Sequence, residues 1–348
     1  MKRAKKLLRN FIIFIVLIVL TFYIILKDQD IAGIIRIMLD ARKEFILISV
    51  LAMCIYVICE AVNIGRTLKA LNEKSNFFKN IKYALIGFFF SAITPAASGG
   101  QPMQIYYMHK ENISVANSTL ALLINLSCVQ VVTLSIAFIS LIFNYKYLNS
   151  GLIWLFVIGV TLNLSALMLL LISIFTKRMS KGLINIAIKI LKFFKVKNIE
   201  EKEKKFQNEL TKYQGSAEYI KKNKIVILKN LITTYIQYIL FYSVSYWVYC
   251  SFGLSGHNIL EIITMQSILY ATVSGIPSPG AVGVSEGGFM AIFGNLFPKN
   301  MLESAMLLNR GINFYLLVII SAIVVMFNAF KEKREEKELS IEIQDEKS

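Results

Sequence analysis

The sequence has few charged residues and few prolines for its 348 residues. Aspartate, glutamate, lysine and arginine make up 17% of it, against roughly 25% in soluble domains, while 56% of the residues are hydrophobic. This composition excludes most soluble enzyme folds. The four cysteines lie singly in apolar runs, with no spacing typical of a metal site or a disulfide framework, so we expect reduced, packed thiols and no metal ion.

Motifs of cofactor chemistry are also missing. The sequence has no P-loop and no HExxH pattern, and its Gly-rich run GAVGVSEGG does not match a dinucleotide fingerprint. The longest polar segment, residues 176–224, is too short for a catalytic domain. We therefore expect no catalytic residue, no cofactor and no direct nucleic-acid partner.

What the sequence does contain is long apolar runs, and a helix of about 20 apolar residues crosses a bilayer. Six runs are long enough, at residues 11–26, 45–65, 115–143, 152–175, 225–252 and 304–330. Two further apolar regions, about residues 83–107 and 259–297, are interrupted by glycine and proline. The predicted fold is all-α: a polytopic integral membrane protein with about six spanning helices and two re-entrant, broken hairpins. Residues 1–330 form one transmembrane domain, and residues 331–348 a flexible cytoplasmic tail.

Basic residues concentrate in the segments that this topology places on one side. Most of the 38 lysines and arginines fall in residues 1–10, 66–82, 108–114, 176–224 and 331–348. The positive-inside rule makes this side cytoplasmic. We expect a bacterial cytoplasmic membrane protein with both termini inside, a basic loop at residues 176–224 and attraction to anionic inner-leaflet lipids.

The two broken regions contain, or lie next to, all five prolines. Proline removes a backbone donor and glycine loosens a helix, so the freed backbone groups must face protein or water rather than lipid. Because the predicted hairpins enter from opposite sides, they indicate an inverted repeat with a substrate site near the midplane. Taken singly, each cluster is also consistent with a packing kink.

Five ionisable residues lie within or close to apolar sequence: Glu60, Lys229, Glu261, Glu286 and Arg310. A charge at the bilayer centre costs upward of about 3 kcal/mol, so such groups need a partner or contact with water. Lys229 and Glu261 lie near the ends of spans, where their side chains can reach the interface. Glu286 and Arg310 can pair, either as a structural ion pair or as a site where Arg310 holds a lipid phosphate. Glu60 and Arg66 lie near the inner end of the second span, where they either line a path or reach the interface. In the functional reading, Glu286 or Glu60 faces a cationic headgroup or relays a proton.

Two segments carry a family resemblance. PSPGAVGVSEGGFMAIF (residues 277–293) and SGGQPMQIYYMHKENIS (98–114), with Arg310, resemble the transmembrane region of lysylphosphatidylglycerol synthases, the flippase-like domain of the multiple peptide resistance factor. The resemblance covers about residues 10–331. It implies transfer of aminoacylated phosphatidylglycerol to the outer leaflet and resistance to cationic peptides. By position it marks as substrate-binding or translocation residues Gly99, Gly100, Gln101, Pro102, Pro277, Pro279, Gly280, Gly283, Glu286, Gly287 and Arg310.

The chain also departs from the family pattern. Many relatives have a basic residue where this chain has Gln104, and an acidic–basic pair where it has Asn125 and Gln130. Full-length members add a synthase domain that takes lysine from lysyl-tRNA, and 348 residues leave no room for that domain. The resemblance therefore does not transfer the substrate or the synthase activity.

Three functional hypotheses follow. The first is a lipid translocase that moves aminoacylated phosphatidylglycerol or a related lipid by alternating access. The second is a phosphatidylglycerol lysyltransferase, or the membrane subunit of one that works with a separate synthase protein. The third is a scaffold for envelope assembly. The expected partners are a phospholipid substrate and, in a homo-oligomer, a second copy of the chain.

Overall fold

The computed structural model describes residues 30–144, 150–176, 199–276 and 278–345, together with residues 23, 181 and 182. These residues are almost entirely helical and contain no β-strand, so the predicted all-α class is confirmed. The predicted span at residues 11–26 lies outside the described residues, apart from residue 23. Residues 177–180 and 183–198 of the predicted basic loop lie outside them as well.

Twelve α-helices are described. They are α1 (Ile31–Asp40), α2 (Lys43–Ala70), α3 (Phe77–Ala92), α4 (Gly100–Lys110), α5 (Val115–Asn144), α6 (Ser150–Phe175), α7 (Ile199–Lys222), α8 (Lys224–Ser251), α9 (Ile259–Val273), α10 (Val284–Phe293), α11 (Leu302–Arg310) and α12 (Leu316–Asp345). Short 3₁₀ turns lie at Pro95–Ala97 and Pro279–Ala281, and a π-helical turn, Gly311–Tyr315, joins α11 to α12.

Five stretches of these helices are long and apolar enough to cross a membrane. They are Lys43–Ala70, Val115–Phe143, Gly151–Phe175, Lys224–Ser251 and Leu302–Phe330. They match five of the six predicted spans and support a multi-pass membrane protein. Large apolar side chains remain exposed on their outer faces, Trp154 and Phe327 among them, as lipid contact requires. Helix α12 continues to Asp345 and so includes most of the predicted tail.

The two regions predicted as broken hairpins are each a pair of helices separated by a 3₁₀ turn. Helices α3 and α4 pack side by side, as do α9 and α10. Both hairpins begin with an asparagine cap: Asn76 Oδ1 accepts from Lys79 N at 2.9 Å, and Asn258 Oδ1 accepts from Glu261 N at 2.9 Å. Such a cap satisfies a donor that the helix start leaves unpaired.

The long helices surround these hairpins. Helix α2 packs along most of α8, α5 and α6 lie against α9, and α12 lies against α3. At one end of this bundle, the turn after α2 is tied to α5 and α7 through Glu73. Its Oε1 accepts from Asn117 Nδ2 at 2.6 Å, from Lys212 Nζ at 3.3 Å and from Ser114 N at 3.4 Å.

Candidate functional site

The 3₁₀ turns of the two helix breaks have the same pair of left-handed residues, although the backbones diverge just after them, at Ser98 and Val282. In the first, Ala96 and Ala97 have φ values of 52° and 53°, and in the second, Gly280 and Ala281 have 60° and 52°. A left-handed conformation costs about 1–2 kcal/mol per residue other than glycine, so the surrounding structure must support it. Neither region is a kink in a continuous helix, because each first helix ends and a second one starts after the turn.

Protein groups satisfy the backbone that the breaks leave unpaired. In the first break, Thr94 Oγ1 donates to Phe90 O at 2.5 Å and accepts from Gly99 N at 2.9 Å. In the second, Asn163 of α6 donates from Nδ2 to Ala271 O at 3.2 Å. Both breaks thus meet the requirement that non-helical backbone within a membrane be covered by protein or face a cavity.

The two 3₁₀ turns contact each other, and a cavity of about 510 Å³ lies beside them. Both hairpins line it, through Ser91, Ala96 and Ala97 of the first and Ser278, Gly280 and Ala281 of the second. Helices α2, α5, α6, α8, α9 and α11 contribute further side chains, including Tyr56, Gln130, Asn163, Phe241, Tyr270 and Arg310. The cavity predicted between the hairpins is therefore present.

Arg310, at the end of α11, is the single charged side chain among the described residues that line this cavity. Its Nε donates to Glu286 Oε1 at 2.9 Å, and its Nη2 donates to Gly280 O at 3.0 Å. The guanidinium lies 4.2 Å from the centre of the Phe314 ring, within the range of a cation–π contact. Arg310 therefore joins the last span to the second break at the cavity wall.

Glu286 is fully buried behind this wall and does not line the cavity. Its Oε2 accepts from Gly283 N at 2.8 Å, which caps α10, and Tyr315 donates its hydroxyl to Oε1 at 3.1 Å. The pair expected between Glu286 and Arg310 is thus formed, and every Glu286 contact here serves to fix the second hairpin. Of the two charged side chains, Arg310 lines the cavity and Glu286 does not.

The remaining predicted residues of the hairpins have mostly structural positions. Gly280 has φ of 60° and touches the Phe314 ring so closely that a Cβ would clash, whereas the space beside Gly287 is open. Pro279 is buried in its turn. Gly99, Gly100, Gln101 and Pro102 form the start of α4 and are not among the lining residues. Pro277 lies outside the described residues.

The sequence analysis did not assign several uncharged polar side chains of the cavity wall to the site. Asn313 is 5% exposed, in the π-helical turn, and its Oδ1 has no hydrogen-bond partner among the described residues. Gln130 and Ser278 also line the cavity, and their Oε1 and Oγ atoms likewise have no hydrogen-bond partner among the described residues. Buried polar groups are normally paired. Asparagine and glutamine inside apolar runs were the signal that could have identified them.

Glu60 and Arg66 of α2 each make a separate set of polar contacts with other side chains. The guanidinium of Arg66 donates to Asn63 Oδ1 at 3.1 Å and to Asn230 Oδ1 at 2.8 Å, which ties α2 to α8. Glu60 accepts from Asn125 Nδ2 at 2.5 Å and from Gln237 Nε2 at 3.0 Å. Neither residue lines the cavity. Both instead make contacts between helices, so the interpretation that they merely reach the interface is incomplete.

Residues 283–287 read GVSEG, which matches the GxSxG spacing of hydrolase nucleophiles. That motif needs a strand before the serine and a histidine beside it. Ser285 instead follows a 3₁₀ turn, and no histidine is among the described residues that line its cavity. The match therefore gives no support for a serine nucleophile.

The arrangement defines a class: an α-helical, multi-pass membrane protein in which two broken hairpins and the helices around them line a cavity, with Arg310 as the one charged side chain among the described lining residues. Residues 10–321 match the family described as the lysylphosphatidylglycerol synthase TM region. The chain belongs to that family, as the resemblance predicted. It is also similar to a UPF0104 membrane protein of Archaeoglobus fulgidus, with 22% identity over 273 residues, which cover 76% of this chain and 80% of that protein.

Proposed function

We propose that this protein is a lipid translocase that moves aminoacylated phosphatidylglycerol, or a related phospholipid, between membrane leaflets. The observation that carries the proposal is the cavity between the two hairpins, with Arg310 as its single charged lining residue among those described. Every phospholipid headgroup contains a phosphate, and arginine binds phosphate oxygens well. The helices α4 and α10 both start just after the breaks, where their dipoles add positive potential.

The uncharged groups of the wall suit the rest of such a headgroup. Gln130 Oε1 and Asn313 Oδ1 are acceptors that have no hydrogen-bond partner within the described ranges. A glycerol hydroxyl or a lysyl ammonium group supplies the donors that they lack. In this proposal Arg310 holds the phosphate, the two amides select the polar substituent, and the hairpins open the cavity to each leaflet in turn. Both termini lie in the cytoplasm in this topology.

The test is leaflet exchange in vesicles that contain the purified protein and fluorescent phosphatidylglycerol or lysyl-phosphatidylglycerol. Arg310→Gln should reduce exchange by at least about tenfold, the effect of losing one charged hydrogen bond worth roughly 1.5 kcal/mol. Arg36→Gln, which removes an exposed arginine from α1, is the matched control. Equal rates for folded Arg310→Gln and the wild type would rule out this site.

A second candidate is the membrane subunit of a phosphatidylglycerol lysyltransferase, which the family description favours. Such a subunit would bind the lipid and present it to a separate synthase protein. Lysine transfer from lysyl-tRNA to lipid, dependent on both proteins and without leaflet exchange by this protein alone, would favour this candidate over the translocase.

A further inference from the structure

Glu60 is a carboxyl group inside a spanning helix with no ion-pair partner among the described residues. It is half-buried on α2 and receives amide hydrogen bonds from two other helices, through Asn125 of α5 and Gln237 of α8. The nearest arginine along the helix, Arg66, is bonded to uncharged groups. A lone carboxylate in this setting is costly, so the site requires a further explanation.

The two amides give a second, independent observation. Asn125 is 3% exposed and Gln237 is fully buried, yet Asn125 Oδ1 and Gln237 Oε1 have no partner among the described residues. With Glu60 ionised, both amides donate to it and both of their oxygens stay unpaired. If Glu60 is protonated, a flip of either side-chain amide exchanges the positions of its nitrogen and oxygen. The carboxyl O–H can then donate to the amide oxygen. The site can therefore hold Glu60 in either protonation state.

This site lies next to the cavity. Each of its three helices also supplies a lining residue: Tyr56 on α2, Gln130 on α5 and Phe241 on α8. These lie four or five residues from the amide and carboxyl groups of the site, which is about 6–8 Å along a helix. Tyr56 and Tyr270, which line the cavity, also interact electrostatically with Glu60. A headgroup phosphate beside these tyrosines would therefore repel an ionised Glu60, because like charges interact more strongly in a low-dielectric interior than in water.

We propose that Glu60, with Asn125 and Gln237, is a proton-binding site coupled to an anionic headgroup in the cavity. This inference rests on the proposed lipid site. The bound phosphate favours protonated Glu60, and by reciprocity the proton strengthens lipid binding. The proton is taken from bulk water when the headgroup binds and returned when it leaves. The other ionisable groups around Glu60 are Tyr56 and Cys59 of α2, Cys128 of α5 and Tyr270 of α9, so Glu60 is the single carboxyl group of this set. Arg66, further along α2, is the nearest cation, and it interacts with the same two cysteines.

The first test is calorimetric binding of short-chain phosphatidylglycerol to the full-length protein in detergent. For the wild type we expect uptake of up to one proton per lipid, with affinity falling by up to about tenfold per pH unit as the pH rises. Glu60→Gln should remove both effects and keep the tighter affinity at high pH. The control Glu44→Gln changes an exposed carboxylate of the same helix and should behave as the wild type. Proton uptake that persists in Glu60→Gln would overturn the proposal.

A second test does not need lipid. Infrared spectra of the lipid-free protein, from about pH 5 to about pH 9, should show a titrating carboxyl band that Glu60→Gln removes and Glu44→Gln retains. If no variant binds lipid but this band is present, the proposed lipid site fails and the coupling falls with it, while the proton site stands. A spectrum without such a band overturns the proton site itself. Should Glu60→Gln not fold, Glu60→Asp must shift the band instead.

Discussion

The pair formed by Glu286 and Arg310 makes a quantitative prediction about stability. Glu286 is fully buried and the Arg310 side chain is 11% exposed, so neither charge is well solvated. Removing one partner of such a buried pair costs about 3–5 kcal/mol, because the other charge stays buried without compensation. We expect each of Glu286→Gln and Arg310→Gln to destabilise the protein by that amount.

The double variant should not add these two costs. With both charges replaced, no uncompensated charge remains, so the double variant should cost roughly as much as one single variant. The coupling energy then equals the cost of one single variant, about 3–5 kcal/mol, which is at or above the upper end of values for residues in contact. It is measured by reversible unfolding in mixed micelles, followed by the fluorescence of the two tryptophans.

An exposed pair provides the comparison. Arg42 and Glu44 are bonded at 2.8 Å, but their side chains are 56% and 57% exposed. Solvent screens the attraction between such exposed charges. The double-mutant cycle of Arg42→Gln and Glu44→Gln should therefore give a coupling energy near zero. If the Glu286 and Arg310 variants were also additive, the pair would not fix the second hairpin to the last span, and the assignment of its structural role would be wrong.

Three further predictions concern the breaks, the turn after α2 and the topology. Gly280→Ala should destabilise the protein by roughly 1–3 kcal/mol, because its Cβ overlaps a phenyl ring, whereas Ala96→Gly should relieve about 1 kcal/mol of left-handed strain; thermal unfolding compares the two. Burial raises the pKa of Glu73, but the hydrogen bonds to its carboxylate outweigh this and hold the pKa below 4.5. The stability that the Glu73 carboxylate supplies is therefore present above pH 4.5 and is lost as the pH falls through its lowered pKa. Acid titration of the free energy of unfolding should show this loss in the wild type and not in Glu73→Gln. Single cysteines at Phe78 and Leu260, exposed at the starts of α3 and α9, should react with an impermeant reagent from opposite sides of the membrane, and labelling from one side would refute the inverted arrangement.

The sequence alone was sufficient to predict those features that a lipid environment requires of each segment by itself. The spans follow from uninterrupted apolar runs, and the breaks from proline and glycine at positions where a lipid-exposed helix could not tolerate them. The left-handed conformation of Ala96 and Ala97 could not be predicted, since alanine normally avoids it. Asn125 and Gln237 reach Glu60 across more than 60 residues of chain, and such contacts depend on how whole helices pack.

The two hairpins share three local structural features but differ in their contacts with charged side chains. Each begins with an asparagine cap, places a hydroxyl residue before the proline of its turn, and has a glycine just before its second helix: Thr94 and Gly99 in one, Ser278 and Gly283 in the other. Yet, within the part of the chain that the structure describes, a charged side chain bonds to the backbone of the second break alone, through Arg310. Alternating access needs two similar moving elements around one fixed binding site. In the proposed translocase, the two similar turns and the single cation among the described lining residues would meet both requirements, because the headgroup would keep the same partner while the opening changes sides.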